Sequence, residues 1–549
     1  MSPFFRFKRA LFAATLLWLA QAAAIAQNSQ VAHLAGTQQA AQQELDRIRR
    51  VQLQQKASRQ QYQAEQQIEY QQPSGQSCLA YNKVVLVSAT LVDIAGLLPQ
   101  SGECLNADRL NRLSRDITKA YLKHGYIYQS FEFEPQGQVL YLRIKEGRVK
   151  SISGGNAIVN PSMLFPGLLG DPLSIHRLDQ GLDHTNKFFS HKVTIDVLPQ
   201  QDGDIDVVLN NQSTGRMGGY VGLDNSGSKG TGEWVVRTGW MIDSPFSLSD
   251  SLMFSASHSI KNRRFDPYSR SLAFQYSVPY GYWDFSLFGS ISQYRNKLAI
   301  NSNQYELDGR TWQAGARVNY VFLRGANYIS SLYGQLERIS ARGRFEKSII
   351  SLQSPKIVNA QLGWSHLQIL PSGLIAGDIA IEHGLPWVKG YENEYNKSYR
   401  KINLSLAAQW RHSAGETAWR HEHELNAQYS PDFLPAIKQL ELLDKYAIRG
   451  LSQYSASGEK GAVFRNNIYL SFQHGAWTIE PYVGFDVGVL KSTASGSNQN
   501  SWGHSWSAGL KLNYRESADA RVEFSQGRFK DDKKLLSGHS LTLKLMYWF

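Results

Sequence analysis

From about Ser213 to the carboxyl end of the chain, apolar and polar residues alternate with a period of two, and helical spacing nearly disappears. Leu272, Phe274, Tyr276 and Val278 alternate with Ser271, Ala273, Gln275 and Ser277. Trp283, Phe285, Leu287 and Ile291 alternate with Asp284, Ser286, Ser290 and Ser292, and Trp312 to Phe322 and Ile402 to Trp410 repeat the pattern. At the terminus Leu541, Leu543, Leu545, Tyr547 and Phe549 share one face, with Thr542, Lys544, Met546 and Trp548 on the other. Successive side chains of a strand point to opposite faces, so each run predicts a strand with one apolar side. One such strand suits a soluble sandwich equally well. Many of them, polar on the second face and aromatic at their ends, predict a transmembrane antiparallel β-barrel over residues 213–549, which we expect to have about 16 strands. That leaves about 21 residues per strand, enough for roughly ten spanning residues, a short turn and a longer loop.

Upstream the period changes. Leu110, Leu113, Ile117 and Tyr121 lie at helical spacing within Asn106 to Tyr121, between the apolar runs Lys83 to Val87 and Val139 to Ile144. A second cycle follows, with Val149 to Ile152 as a strand, Leu178 to Phe189 as a helix, and Val193 to Leu198 and Ile205 to Leu209 as strands. Two small α+β repeats, residues 73–147 and 148–212, are the economical reading. Before them, residues 27–72 are Gln-rich and charged. Leu45, Ile48 and Val51 form a thin apolar stripe on a polar helix, too narrow to nucleate a core. Pro73-Ser74-Gly75 reads as a linker. Residues 1–26 read as a secretory signal. Arg6, Lys8 and Arg9 precede the apolar Leu11 to Ala20, and Ala24-Ile25-Ala26 places small residues for cleavage before Gln27.

Composition alters this picture in three places. A mean hydropathy of −0.37 would suit a soluble protein, yet 12% of residues are aromatic, as expected where only every second residue faces lipid. No run of about 18 apolar residues follows the leader, so the sequence offers no membrane-spanning helix. The net charge of +12 is scattered rather than clustered, which points to a water-filled lumen or lipid phosphates and away from nucleic acid. Cys78 and Cys104 are the two cysteines. In an exported chain that even count favours a disulfide. Zinc would need further ligands, and no histidines lie nearby to complete a tetrahedral site.

Catalytic constellations are hard to find. Gly227-Ser228-Lys229-Gly230-Thr231-Gly232 lacks the Gly-Lys-Ser/Thr step of a phosphate loop and reads as an extracellular turn. His421 and His423 share a strand face without a third ligand, so a polar barrel wall is the better reading than a metal site. Neither G-x-S-x-G nor H-E-x-x-H occurs. We expect no enzymatic activity and no cofactor.

With the organisation in place, several short motifs resemble the two-partner secretion outer-membrane transporters, the family of haemolysin and filamentous-haemagglutinin exporters, with contact-dependent-inhibition members among them. The first repeat resembles a POTRA domain through Tyr121-Leu122-Lys123-His124-Gly125-Tyr126-Ile127. The barrel entry Leu223-Asp224-Asn225-Ser226-Gly227-Ser228 through Thr231-Gly232, the hairpin Tyr276 to Trp283, Gln428-Tyr429-Ser430 and Phe464-Arg465-Asn466 are also similar. Ile448-Arg449-Gly450-Leu451 resembles the tip of the family's long sixth extracellular loop. Gly484-Phe485-Asp486-Val487-Gly488 resembles the inward-facing strand motif that meets it. The resemblance implies that Arg449 pairs with Asp486, with Gly488 beside it and Gly450 allowing the tight turn. Two departures stand out. Leu442-Leu443-Asp444-Lys445 replaces a common Gly-Gly pair, and Gly484 replaces an aromatic residue two before the aspartate.

The resemblance further implies two periplasmic POTRA domains, residues 27–72 as a pore-plugging helix, and Phe549 as the signal read by the barrel assembly machinery. It implies export of a large partner exoprotein (an adhesin, haemolysin or contact-dependent toxin) as an unfolded chain, without ATP, across the outer membrane. An assembly factor that inserts other barrels is the alternative from the same superfamily, although such factors typically carry more POTRA repeats and no plug. A porin predicts no periplasmic repeats, and a barrel lipase needs a nucleophile that the sequence does not offer.

Overall fold

The structure, a computed structural model, describes residues 78–549 except 80, 90, 188–189, 201–202, 214, 261–266, 301–302, 389–396, 415–416, 493–498, 516 and 532–533. The expected signal (1–26) and plug helix (27–72) lie outside the described residues.

Two three-stranded sheets of like topology precede a barrel. In the first, β1 (Lys83–Ser88) runs parallel to β3 (Val139–Glu146), which pairs antiparallel with β2 (Gln129–Gln136). Helix α1 (Ala107–Lys123) starts where the Asn106 side chain accepts the Arg109 amide at 2.8 Å, relieving an unpaired donor of its first turn. Leu113, Ile117 and Tyr121, spaced four apart, are fully buried and pack with Leu142 and Ile144 of β3. A disulfide joins Cys78 to Cys104 across a Cα–Cα distance of 5.4 Å, tying the chain ahead of β1 to the segment ahead of α1.

The second sheet repeats the plan. β4 (Val149–Gly154) is parallel to β6 (Ile205–Ser213), and β5 (His191–Pro199) is antiparallel to it. A one-turn helix α2 (Pro161–Leu164) and helix α3 (Ile175–Thr185) cover one face. Phe165 lies so close to Gly181 of α3 that a Cβ there would meet its ring at 2.2 Å. The sequence pattern extended this helix to Phe189. It ends at Thr185, where the Asn186 amide closes the last turn on Leu182, and residues 188–189 lie outside the described residues.

Sixteen long antiparallel strands among the described residues then close a barrel, from Met217–Asp224 to Lys534–Trp548. Closure is made by the last strand on the first. Lys544, Leu545, Met546, Tyr547 and Trp548 pair with Asp224 back to Tyr220, and Phe549 exchanges two backbone bonds with Gly219 at 2.8 and 2.9 Å. With its edges paired to each other, the sheet leaves no open row of amides to face hydrocarbon.

The alternation resolves into two walls. Leu541, Leu545 and Tyr547, with Phe524 and Val522 of the adjacent strand, are exposed on the outside, whereas Met546 on the opposite parity is buried. At the end near the two small sheets, Tyr280, Trp283, Tyr320, Trp477 and Tyr514 gather at the short turns, with ring pairs 4.5 and 4.8 Å apart. Such a girdle suits the membrane interface. Gly281 (φ 57°) makes one of these two-residue turns. One reading of the pattern needs correction: His421 and His423 lie on the outer wall with Trp419 and Tyr429, because the register opposes them to Trp410 and Ala408 on the lipid-facing parity.

Candidate functional site

The long connection between the strands Thr417–Tyr429 and Lys460–His474 does not project outward. It folds back into the barrel, where Leu434, Leu442, Ile448 and Leu451 are completely buried. A two-residue ladder, Leu440–Glu441 with Ser457–Gly458, forms its base. The Glu441 carboxylate holds the base shut by accepting the Ala456 amide at 2.8 Å and the Ser455 hydroxyl at 3.0 Å.

At the loop tip the structure brings Arg449 and Asp486 together. The guanidinium donates from Nε to Oδ2 at 2.7 Å and from Nη2 to Oδ1 at 2.6 Å, a two-pronged fork, and the Arg449 amide adds a bond to Oδ2 at 3.2 Å. Nη1 reaches Glu523 and Asn467, both at 2.9 Å. The side chains of Arg449 and Asp486 are 2% and 0% exposed. Each prong is therefore a charge-assisted bond shielded from water. The wall around them is also paired. Ser505 donates to Asp486 at 2.7 Å, Tyr482 to Glu523 at 2.8 Å, and Arg521 to Glu523 at 2.7 Å.

The motif neighbours serve the approach. Gly450 has φ +83°, and a Cβ there would lie 2.8 Å from the Gly527 amide nitrogen. Gly484 faces the guanidinium: a Cβ at that position would stand 2.5 Å from Arg449 Nη2. An aromatic residue here could not coexist with this placement of Arg449, which gives the departure from the family pattern a steric meaning. Gly488 leaves room for Leu442, which takes the place of the family's glycine pair; a Cβ on Gly488 would meet Leu442 Cδ1 at 2.4 Å. Ile448 and Leu451 pack with Leu442, Val463, Leu490 and Phe529.

Sequence reasoning missed three features. The first is a glycine cradle. Besides Gly484 and Gly488, Gly503, Gly527 and Gly538 come from three further strands, and a Cβ on any of them would lie within 3.0 Å of the loop. Glycines spread over 55 positions of sequence become one surface only through the register that opposes Gly488 to Gly503 and Gly527 to Gly538. The second is another anchor: Lys438 of the loop lies 3.0 Å from Glu337 and 2.9 Å from Glu382, with Lys401 also 3.6 Å from Glu382. Its signal would have been two inward carboxylates on separate strands, visible only once their facing is known.

The third is the seat of the second small domain on the barrel. Arg324, next to a short turn, donates to Asp183 at 2.7 Å and to Gln180 at 3.0 Å, both on α3. Lys187 reaches Asp284 at 2.8 Å, and Ser190 binds Asp243 through both its amide and its hydroxyl. Asp224, at the barrel entry, pairs with Arg237 at 2.6 Å.

Comparison with known proteins agrees with this architecture. Residues 203–512 match the family described as "Haemolysin secretion/activation protein ShlB/FhaC/HecB", and residues 79–147 match the ShlB-type POTRA domain. The hemolysin transporter protein ShlB of Serratia marcescens is 35% identical over 470 residues, covering 83% of each chain. The hemolysin transporter protein HpmB of Proteus mirabilis is 33% identical over 491 residues, covering 86% of this chain and 87% of its own. Among solved structures, CdiB from Escherichia coli superposes with a TM-score of 0.80 at 23% identity, over 94% of this chain and 98% of that one, a likeness of fold.

Proposed function

The chain belongs to the haemolysin secretion/activation protein family, and from that premise we propose how its geometry carries out two-partner secretion. It is an outer-membrane transporter with POTRA domains on the periplasmic side. Its cargo is a large exoprotein; the names of the two relatives make a haemolysin-type chain the first partner to test. The observation that carries the reading is the buried Arg449–Asp486 fork inside a barrel whose lumen is occupied by its own loop.

On this reading the domains divide as signal 1–26, plug helix and linker 27–72, POTRA domains 73–147 and 148–212, and barrel 213–549. An extended segment of the partner adds to an exposed edge of a POTRA sheet, where main-chain bonds give affinity without demanding one sequence. β1 and β2 flank the first sheet, and β4 and β5 the second, so each offers edges for this. The plug leaves the pore and the loop shifts from its fork. Alternative acceptors on the wall, including Glu523 within 2.9 Å of the same guanidinium, lower the cost of moving it. The partner then passes outward unfolded, and its folding outside supplies direction without ATP. Phe549, at the closing seam, is the signal for the assembly machinery during biogenesis.

Co-expression with the neighbouring large open reading frame, followed by a surface-exposure assay, tests the reading. Partner on the cell surface only when this chain is present supports it. Partner export that does not depend on this chain overturns it.

A further inference from the structure

The outer wall carries a row of arginines that the transport reading does not use. Along one line of cross-strand pairs, Arg270 opposes Gln293, Gln293 opposes Arg310, and Arg310 opposes Arg342. All lie on the lipid-facing parity: the next outward row toward the periplasm is Leu272, Ile291 and Trp312, and Leu272 and Ile291 are exposed. Arg270, Arg310 and Arg342 are themselves exposed; so is Arg338, four residues along the strand from Arg342 toward the periplasm, and the Arg338 guanidinium lies 5.3 Å from the Trp312 ring centre.

Depth identifies what this row meets. The periplasmic girdle on the same strands is Tyr280, Trp283 and Tyr320. From Tyr280 to Arg270 is a step of ten residues; at ~3.4 Å per residue and a tilt of ~40°, it spans about 26 Å. That is the height of the apolar band of an outer-membrane barrel, about 25 Å. The row therefore lies at the outer edge of the hydrocarbon, level with the outer-leaflet headgroups.

Charge bookkeeping singles out this row. One row farther out, Arg344 is paired with Asp308 at 2.6 Å, and Arg295 lies 3.6 Å from Glu306. In the row itself Arg270 meets only neutral groups, the Gln293 carboxamide at 2.6 and 3.0 Å and the Tyr268 ring, 5.1 Å from its guanidinium. Arg310 and Arg342 have no ion-pair partner among the described residues. Like charges directly opposed across a sheet repel. An anion between them removes that repulsion, and guanidinium forks match phosphate oxygens.

We propose that Arg270, Arg310 and Arg342 bind the phosphate of a phosphorylated glycolipid in the outer leaflet, with Trp312 and Arg338 against its sugar and upper acyl carbons. A lipid, rather than free phosphate, is the ligand because the apolar rows begin directly beneath the arginines. The inference needs the outer-membrane placement but no step of transport.

Native mass spectrometry of the full-length protein, with bisphosphorylated lipid A and the same lipid stripped of phosphate as probes, tests it. Wild-type protein should retain the phosphorylated lipid at least about tenfold better, at roughly 1 kcal/mol per basic residue near an anionic surface. R270Q/R310Q/R342Q should lose that preference. K460Q/K491Q, removing an opposed lysine pair elsewhere on the outer wall, should keep it. Equal retention of both lipids by wild-type protein, a requirement for no variants, overturns the proposal. So does displacement by millimolar inorganic phosphate alone, which would mark a free-phosphate site. If the triple variant fails to assemble, R342Q alone, which also relieves the Arg310–Arg342 opposition, should lower the preference for phosphate, and an undiminished preference then overturns the proposal. Secretion measured in the same variants separates failure here from failure of the transport reading.

Discussion

A buried guanidinium that loses its carboxylate has no water to replace it, so at Arg449 the cost of deletion falls on the partner left behind. Removing one member of a buried pair typically costs about 3–5 kcal/mol. Arg449→Ala or Asp486→Ala should therefore free the loop tip and lower partner export at least about tenfold, while heat-modifiable barrel still forms, because neither side chain contributes to the backbone ladder. Export at the wild-type rate in both variants would sink the loop-anchor account. Gly450→Ala tests the same contact from the backbone. It forces an L-residue into φ +83° against the Gly527 amide, a strain of about 1–3 kcal/mol. We expect an intermediate export defect and increased protease access to residues 440–458, read by limited proteolysis on intact cells. The arginine and aspartate were legible in the sequence through motif resemblance. Lys438, Glu337 and Glu382 were not, since lysine and glutamate are common in loops and lumens alike, and only their convergence distinguishes them.

Single elements make separate demands. The Cys78–Cys104 bridge closes a separation of 26 residues, for which the chain-entropy model gives about 3 kcal/mol of stabilisation. C78S/C104S should leave the barrel heat-modifiable but make residues 78–147 cleavable at protease levels that spare the parent. Equal resistance would show that the α1 core suffices without the bridge. The terminal strand is tied down at its last residue. Phe549 exchanges backbone bonds with Gly219, and its ring lies 5.1 Å from that of Trp240. Deleting Phe549 should lower assembled barrel in the outer membrane several-fold, as scored by the heat-modifiable band, and normal levels would argue against a terminal signal. Element identity was readable from periodicity because burial on one side writes itself into every second or every third to fourth residue. The helix end near Thr185 and the one-turn α2 were not, because apolar spacing does not record where the hydrogen-bonded turns stop.

For the whole molecule the question is what fills the pore. The loop occupies the lumen at its own anchors, and residues 27–72 are proposed to fill more of it. Deleting 27–72 should raise single-channel ion conductance in planar bilayers, and unchanged conductance would remove the plug role. The second POTRA domain is held to the barrel rim by Arg324–Asp183 and Lys187–Asp284. These ion pairs couple the position of that domain to the barrel's short turns.

By itself the sequence determined the architecture. Alternation set the barrel, helical spacing set the two small domains, and the motifs around Arg449 and Asp486 pointed to the secretion family, because local geometry and the burial of one face act within a few residues of each position. Tertiary structure alone decided the facing where the pattern is mixed, and so placed His421 and His423 on the outer wall. It also aligned five glycines into a cradle and three arginines into one row. Those outcomes depend on strand register, and register is a property of pairs of strands that no single stretch of sequence contains.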